Sequence, residues 1–119
     1  MISLGKIQMN IQIEVSNNIC LKIIEGSEVS NNFTYTPNDS PITIGRSEKC
    51  TLPYKSNSIS REQCYLKFVE NKWIINDGSI HKKPSTNGTW AYISEEMELN
   101  GNHLIKVAET LLFVKYLNE

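Results

Sequence analysis

The stretch Met9–Val15 reads MNIQIEV. Its apolar side chains, Met9, Ile11, Ile13 and Val15, fall on every second position, with Asn10, Gln12 and Glu14 between them. A two-residue period sends these sets to opposite faces of an extended chain, which predicts a half-buried β-strand. The same alternation recurs in ICLKIIE (19–25), NFTYT (32–36), ITIG (42–45), CYLKFV (64–69) and KWIIN (72–76). It returns in TWAYI (89–93), MEL (97–99), HLIKV (103–107) and TLLFVKY (110–116). β-Branched and aromatic residues are common in these runs, and clusters such as GSEVSNN, TPNDSP and ELNGNH punctuate them as turns. No window holds apolar residues at the helical spacing over a full helix. About ten short strands so spaced predict an all-β protein, an antiparallel sandwich or barrel. A single unit over 1–119 is expected, with residues 1–8 as a loose arm.

The chain has 119 residues, enough to bury a real core. A hydrophobic content of 39% and a charged content of 21% speak against wholesale disorder. No apolar run reaches transmembrane length, and the start lacks the basic and apolar regions of a signal peptide. These features predict an intracellular protein, nuclear or cytoplasmic. Cys20, Cys50 and Cys64 form an odd, widely spaced set, which reads as reduced thiols rather than a disulfide framework or a zinc site.

The net charge of −1 argues against bulk binding of nucleic acid or acidic membrane. It conceals an asymmetry. Residues 46–83 carry eight basic and four acidic side chains, a balance of +4, while the remainder carries four basic and nine acidic ones, or −5. The middle of the chain is therefore an electropositive island suited to a small anion.

Two connections depart from hairpin chemistry. Arg46–Gln63 is polar, basic and serine-rich, and Asn76–Thr89 is basic and punctuated by glycine. Loops on a rigid sandwich are where binding chemistry usually sits. Nucleophilic catalysis finds little support there: no GxSxG elbow occurs, and His81 and His103 lack triad context. Phosphate binding fits better. Arg46 follows the strand ending at Gly45 and offers a planar, bidentate guanidinium. Ser60 and Arg61 supply a hydroxyl and a second such cation, Thr86 a methyl and a hydroxyl, and Asn87 an amide able to grip a peptide backbone.

In order along the chain these are GR at 45–46, SREQ at 60–63, Trp73 and STNGTW at 85–90. Together, on an all-β chain, they resemble the forkhead-associated (FHA) domain, from about Ile42 to Tyr116. The resemblance implies an FHA/SMAD-like β-sandwich of about eleven strands with binding loops at one end. It implies recognition of phosphothreonine peptides without catalysis, metal or cofactor. Arg46 and Ser60 would hold the phosphate and Arg61 would add a contact. Thr86 would shape a slot for the phosphothreonine methyl, and Asn87 would bond the ligand backbone. Gly45, Gly88 and Trp73 would be structural, with Trp90 anchoring the next strand in the core.

Three departures stand out. The family's Ser-x-x-His histidine, which braces the binding loops from behind, is Gln63 here, expected to be a softer brace. The segment GSIHKKP lengthens the loop before STNGT and adds Lys82 and Lys83, either at the ligand or simply in solvent. The Gly-Asp turn before the last strand is Ala108-Glu109. The expected partner is a phosphothreonine-containing protein, with this domain free-standing or part of a larger protein or complex, and with neither nucleic acid nor membrane as partner. The alternatives are an FHA-like scaffold making phosphate-independent contacts, favoured by Gln63, and, ranked below it, a β-barrel for single-stranded nucleic acid.

Overall fold

The computed structural model describes residues 1–25, 32–92, 103–107 and 110–114, the last two ranges as backbone strands. One sheet contains β1 (Ile2–Leu4), β2 (Ile7–Ile13), β3 (Ile19–Glu25), β4 (Asn32–Tyr35) and β9 (Thr89–Ala91), in the order β4-β3-β2-β1-β9. A second contains β5 (Ile42–Gly45), β6 (Leu52–Pro53), β7 (Cys64–Val69) and β8 (Lys72–Asp77), in the order β6-β5-β7-β8. The two sheets thus hold nine strands rather than the expected eleven. Two more, β10 (His103–Val107) and β11 (Thr110–Val114), pair only with each other among the described residues. The pairings are antiparallel except that of β5 with the short β6, which is parallel. The expected strand at 97–99, the turns GSEVSNN and ELNGNH apart from Asn32 and His103, and the Ala108-Glu109 turn lie outside the described residues.

Both sheets turn their apolar faces to one core. Leu4, Met9, Ile19, Leu21 and Ile23 come from the first sheet; Ile42, Ile44, Leu52, Cys64 and Leu66 come from the second. Each large aliphatic side chain buried this way contributes about 1.5–3 kcal/mol relative to exposure. Phe68 and Trp73 meet edge to face at 5.3 Å, and the Trp73 indole N–H donates to Asn17 O (2.8 Å). Trp73 is thus tied to the turn after β2, consistent with a structural role.

The N-terminus corrects the expectation of a loose arm. Ile2, Leu4 and Ile7 are buried, and β1 pairs with both β2 and β9. The reason is that ISL, too short to display a period by itself, forms β1 between β2 and β9, while Ile7 opens β2. The opening MNIQIEV pattern is also shifted. Extension stops at Ile13, because Glu14 and Asn18 close a turn in which Asn17 adopts φ 66°. Val15 lies on that turn, fully exposed.

Among the described residues no helix is long and apolar enough to cross a membrane.

Candidate functional site

β5 and β8 end, and β7 and β9 begin, at the same end of the molecule, with Cys64 and Asp77 as register partners. Gly45, the last residue of β5, is buried, and a Cβ there would run into Arg61 O. Without that atom, the Ser60–Glu62 turn can lie directly on the strand end. Backbone bonds fasten it: Arg46 N donates to Ser60 O (3.0 Å) and Ser47 N to Arg61 O (3.1 Å). Arg46 and Ser60 are distant in sequence and neighbours in space for this reason.

Behind the turn sits Gln63, with no solvent exposure. Its Oε1 accepts from Ser60 N (2.9 Å), while Nε2 donates to Gly88 O (2.8 Å) and to Thr89 Oγ1 (3.2 Å). One side chain links the serine turn to the Asn-Gly turn. The amide's carbonyl and both of its N–H donors are engaged, so the brace is fully bonded. A neutral imidazole offers one donor and one acceptor and would make one bond fewer.

Asp77 organises the second loop. Its Oδ1 accepts from the hydroxyls of Ser85 and, at 2.8 Å, Thr89, and its Oδ2 accepts from Ser85 N (3.2 Å). Ser85 Oγ in turn accepts from Gly88 N (3.0 Å). Ser85 and Thr89 therefore shape the turn around Asn87 and Gly88, and Gly88 takes φ 80°. Trp90 departs from expectation. It is only half-buried and lies outside the core, and its indole N–H donates to Asn87 O (3.1 Å), so it fastens the turn.

In front of this framework is an open cleft of about 440 Å³, within the range typical of ligand sites. Arg46, Ser47 and Ser60–Glu62 line it from the first connection, and Lys83, Pro84 and Thr86 from the second. Ser60 Oγ accepts from Thr86 N (2.9 Å) and makes a long hydroxyl contact to Thr86 Oγ1 (3.4 Å), which joins the two connections. Of the residues singled out from sequence, Arg46, Ser60, Arg61 and Thr86 line this cleft together. Asn87 does not line it; it is exposed at the adjoining turn.

Three cations, Arg46, Arg61 and Lys83, face one carboxylate, Glu62, around the cleft. Arg46 Nε donates to Ile59 O (3.4 Å), and its terminal amino groups bond nothing among the described residues. Among the described residues the ion pair is Lys55–Glu48 at 3.9 Å, away from the cleft lining, and none of the cleft's three cations has an acidic partner there. Free guanidinium and ammonium donors in this arrangement have the chemistry to bond an anion with several acceptor oxygens.

The thiols nearby are not poised for chemistry. Burial, with Asp77 adding to it, pushes the Cys64 thiol up to about 12. Burial raises Cys50 as well, with Glu62 contributing. Thiols held neutral in this way are poor nucleophiles.

Sequence reasoning missed Asp77, Ser79, Glu62 and Pro84. Asp77 reads as any loop acid until the turn is folded, and Glu62 and Pro84 carry no signal apart from their neighbours. No curated protein and no solved structure shows a significant match to the chain. The family model of the FHA domain does match, over residues 42–112, which hold the Gly45–Arg46 strand end, the serine turn, the Gln63 brace and the Asn-Gly turn. That match spans more than half of the sequence, and the chain belongs to the FHA domain family.

Proposed function

We propose that this domain binds phosphothreonine-containing segments of a partner protein, without catalysis. FHA domains are in general phosphopeptide-recognition modules, typically non-catalytic, that bind phosphorylated proteins. The observation that carries the reading here is the Ser60–Thr86 junction in the lining of a cleft that Arg46 and Arg61 also line. A phosphoryl group brings a charge of about −1.5 to −2 and three acceptor oxygens. Arg46 has unengaged guanidinium donors for two of them. The hydroxyl proton of Ser60, spent only on a 3.4 Å contact, is available for another. Thr86, which lines the same cleft, carries a methyl that would shape a slot favouring threonine over serine as the phosphorylated residue. Asn87, just beyond, would bond the ligand backbone, and Arg61 would add charge at the rim.

The phosphate-independent scaffold drew its support from Gln63 as a weak brace, and three hydrogen bonds remove that motive. A nucleic-acid surface calls for aromatic platforms, and no aromatic side chain lines the cleft among the described residues.

Calorimetry with one peptide in phosphothreonine, phosphoserine and unmodified forms tests the proposal. The expected result is micromolar binding of the first, about −8 kcal/mol. Phosphoserine should bind more weakly by roughly 1 kcal/mol for the missing methyl, and the unmodified peptide not measurably. Equal binding of modified and unmodified peptide refutes it.

A further inference from the structure

The loop between β8 and the Asn-Gly turn is not spent by this reading. It is longer than phosphate recognition needs, and it is tightly built. Ser79 is buried, and its Oγ accepts from His81 N (3.2 Å) and Lys83 N (3.1 Å). Ser79 N donates to Lys83 O (2.8 Å), and Lys82 N donates to Ser79 O (2.9 Å). Lys82 is held at φ 66°, where non-glycine residues are uncommon. Gly78, at φ 81°, lets Lys83 O approach so closely that a Cβ would collide with it. Five residues are thus folded into one compact turn whose product is a fixed position for Lys83 on the cleft wall.

Charge then says what that position is for. The cleft's three cations and one carboxylate leave +2, and Lys82, exposed next in the chain, raises the local balance to +3. A phosphoryl group neutralises about 1.5 to 2 of this. Positive charge remains in the cleft, and Lys83 brings its share from a different loop than Arg46 and Arg61. The cleft is also larger than one phosphoryl group requires, so a neighbouring ligand side chain has room inside it.

We propose that Lys83, set by the Ser79 turn, is a specificity-determining residue that selects phosphothreonine peptides carrying a second acidic group beside the phosphothreonine. The shared chemistry is an anionic oxygen cluster, supplied by a carboxylate or by a second phosphate. The inference rests on the phosphopeptide reading above and deepens it.

The test uses phosphothreonine peptides with neutral flanks, with Asp at each of the flanking positions in turn, and with phosphoserine at those positions. Affinities are measured at low and high salt for wild type, Lys83→Ala, Lys83→Glu and Arg46→Ala. For wild type, the best Asp-flanked peptide should bind about fivefold tighter than the neutral one at low salt, and the advantage should shrink as salt rises. A larger gain with phosphoserine assigns the site to a second phosphate; a gain no larger than that of Asp assigns it to carboxylates. Lys83→Ala should bring the acidic-to-neutral ratio close to one, and Lys83→Glu should bring it below one. Arg46→Ala should weaken all phosphopeptides alike and keep the ratio. An unchanged ratio in both Lys83 variants, with their melting temperatures intact, overturns the proposal while leaving phosphopeptide binding standing. Absence of any phosphate dependence in wild type overturns both.

Discussion

The two faces of the loop end treat their polar groups in opposite ways. Behind the loops, Gln63 and Asp77 are surrounded by partners: the buried amide makes three hydrogen bonds and the carboxylate accepts three. In front, Arg46, Arg61 and Lys83 stand exposed around the cleft, with Glu62 the one acid lining it among the described residues. Polar groups whose capacity is used up within the fold are framework. Those whose capacity is left over are where a ligand finds its bonds. Sequence position does not separate the two sets, since Arg61 and Gln63 stand two residues apart in one motif.

If that contrast is real, mutations on the two faces should move different observables. Gln63→Ala should give the largest effect, a loss of about 3 kcal/mol in urea-unfolding stability. It leaves Ser60 N–H and Gly88 O without partners and opens a cavity in a fully buried site. Arg46→Ala should lower phosphopeptide affinity by about 2 kcal/mol, measured by calorimetry, and leave stability within about 0.5 kcal/mol. A fall in melting temperature for Arg46→Ala would blur the contrast at its sharpest point.

Alkaline pH probes the framework alone. Below pH 9 the Cys64 thiol is neutral in folded and unfolded chains alike, so its contribution is intact. Above the ordinary value of 9.0 the unfolded thiol ionises, while the folded one resists to about 12. Stability should therefore fall with rising pH by roughly 1 kcal/mol per unit from this group. Denaturation at pH 8, 9 and 10 should show a shallower slope for Cys64→Ser than for wild type.

The smallest effect is expected from Gln63→His. A neutral ring can accept from Ser60 N–H and donate to Gly88 O but must drop Thr89, so at pH 8 stability should lie within about 1 kcal/mol of wild type. Acidification is more telling. The native site needs the neutral ring to face a donor, which depresses the histidine pKa in the folded state. Its contribution is then present above the unfolded value of about 6.5 and lost as pH falls below it. The wild-type glutamine should show no such loss between pH 7 and 5.5, and unfolding curves of both proteins decide it.

Much of this was legible before any coordinates. The period of two fixed the class, because strands β2, β3, β5, β7 and β8 are long enough to show it. It failed for β1 and β6, whose three and two residues cannot display a period and which exist through pairing with distant partners. That Arg46, Ser60, Arg61 and Thr86 meet in one cleft was legible because the proposed phosphate chemistry restricts residue type. Asp77 was not, since a carboxylate satisfied by hydroxyls looks like any loop acid until the turn is folded. Trp90 misled for a related reason: a tryptophan after a turn suggests core, yet its N–H found the turn's own carbonyl. The folded loop that places Lys83 depends on Ser79 being buried, a tertiary fact with no local signature.

The most direct test of the central contrast is an NMR titration of the labelled domain with a phosphothreonine peptide and its unmodified twin. The backbone amides of Arg46, Ser47, Arg61 and Thr86 and the Arg46 guanidinium should shift with the phosphopeptide alone. The Gln63 side-chain amide signals should keep their positions, their bonds being already made. Equal shifts with both peptides, or shifts gathered on another surface while the cleft stays silent, would contradict it.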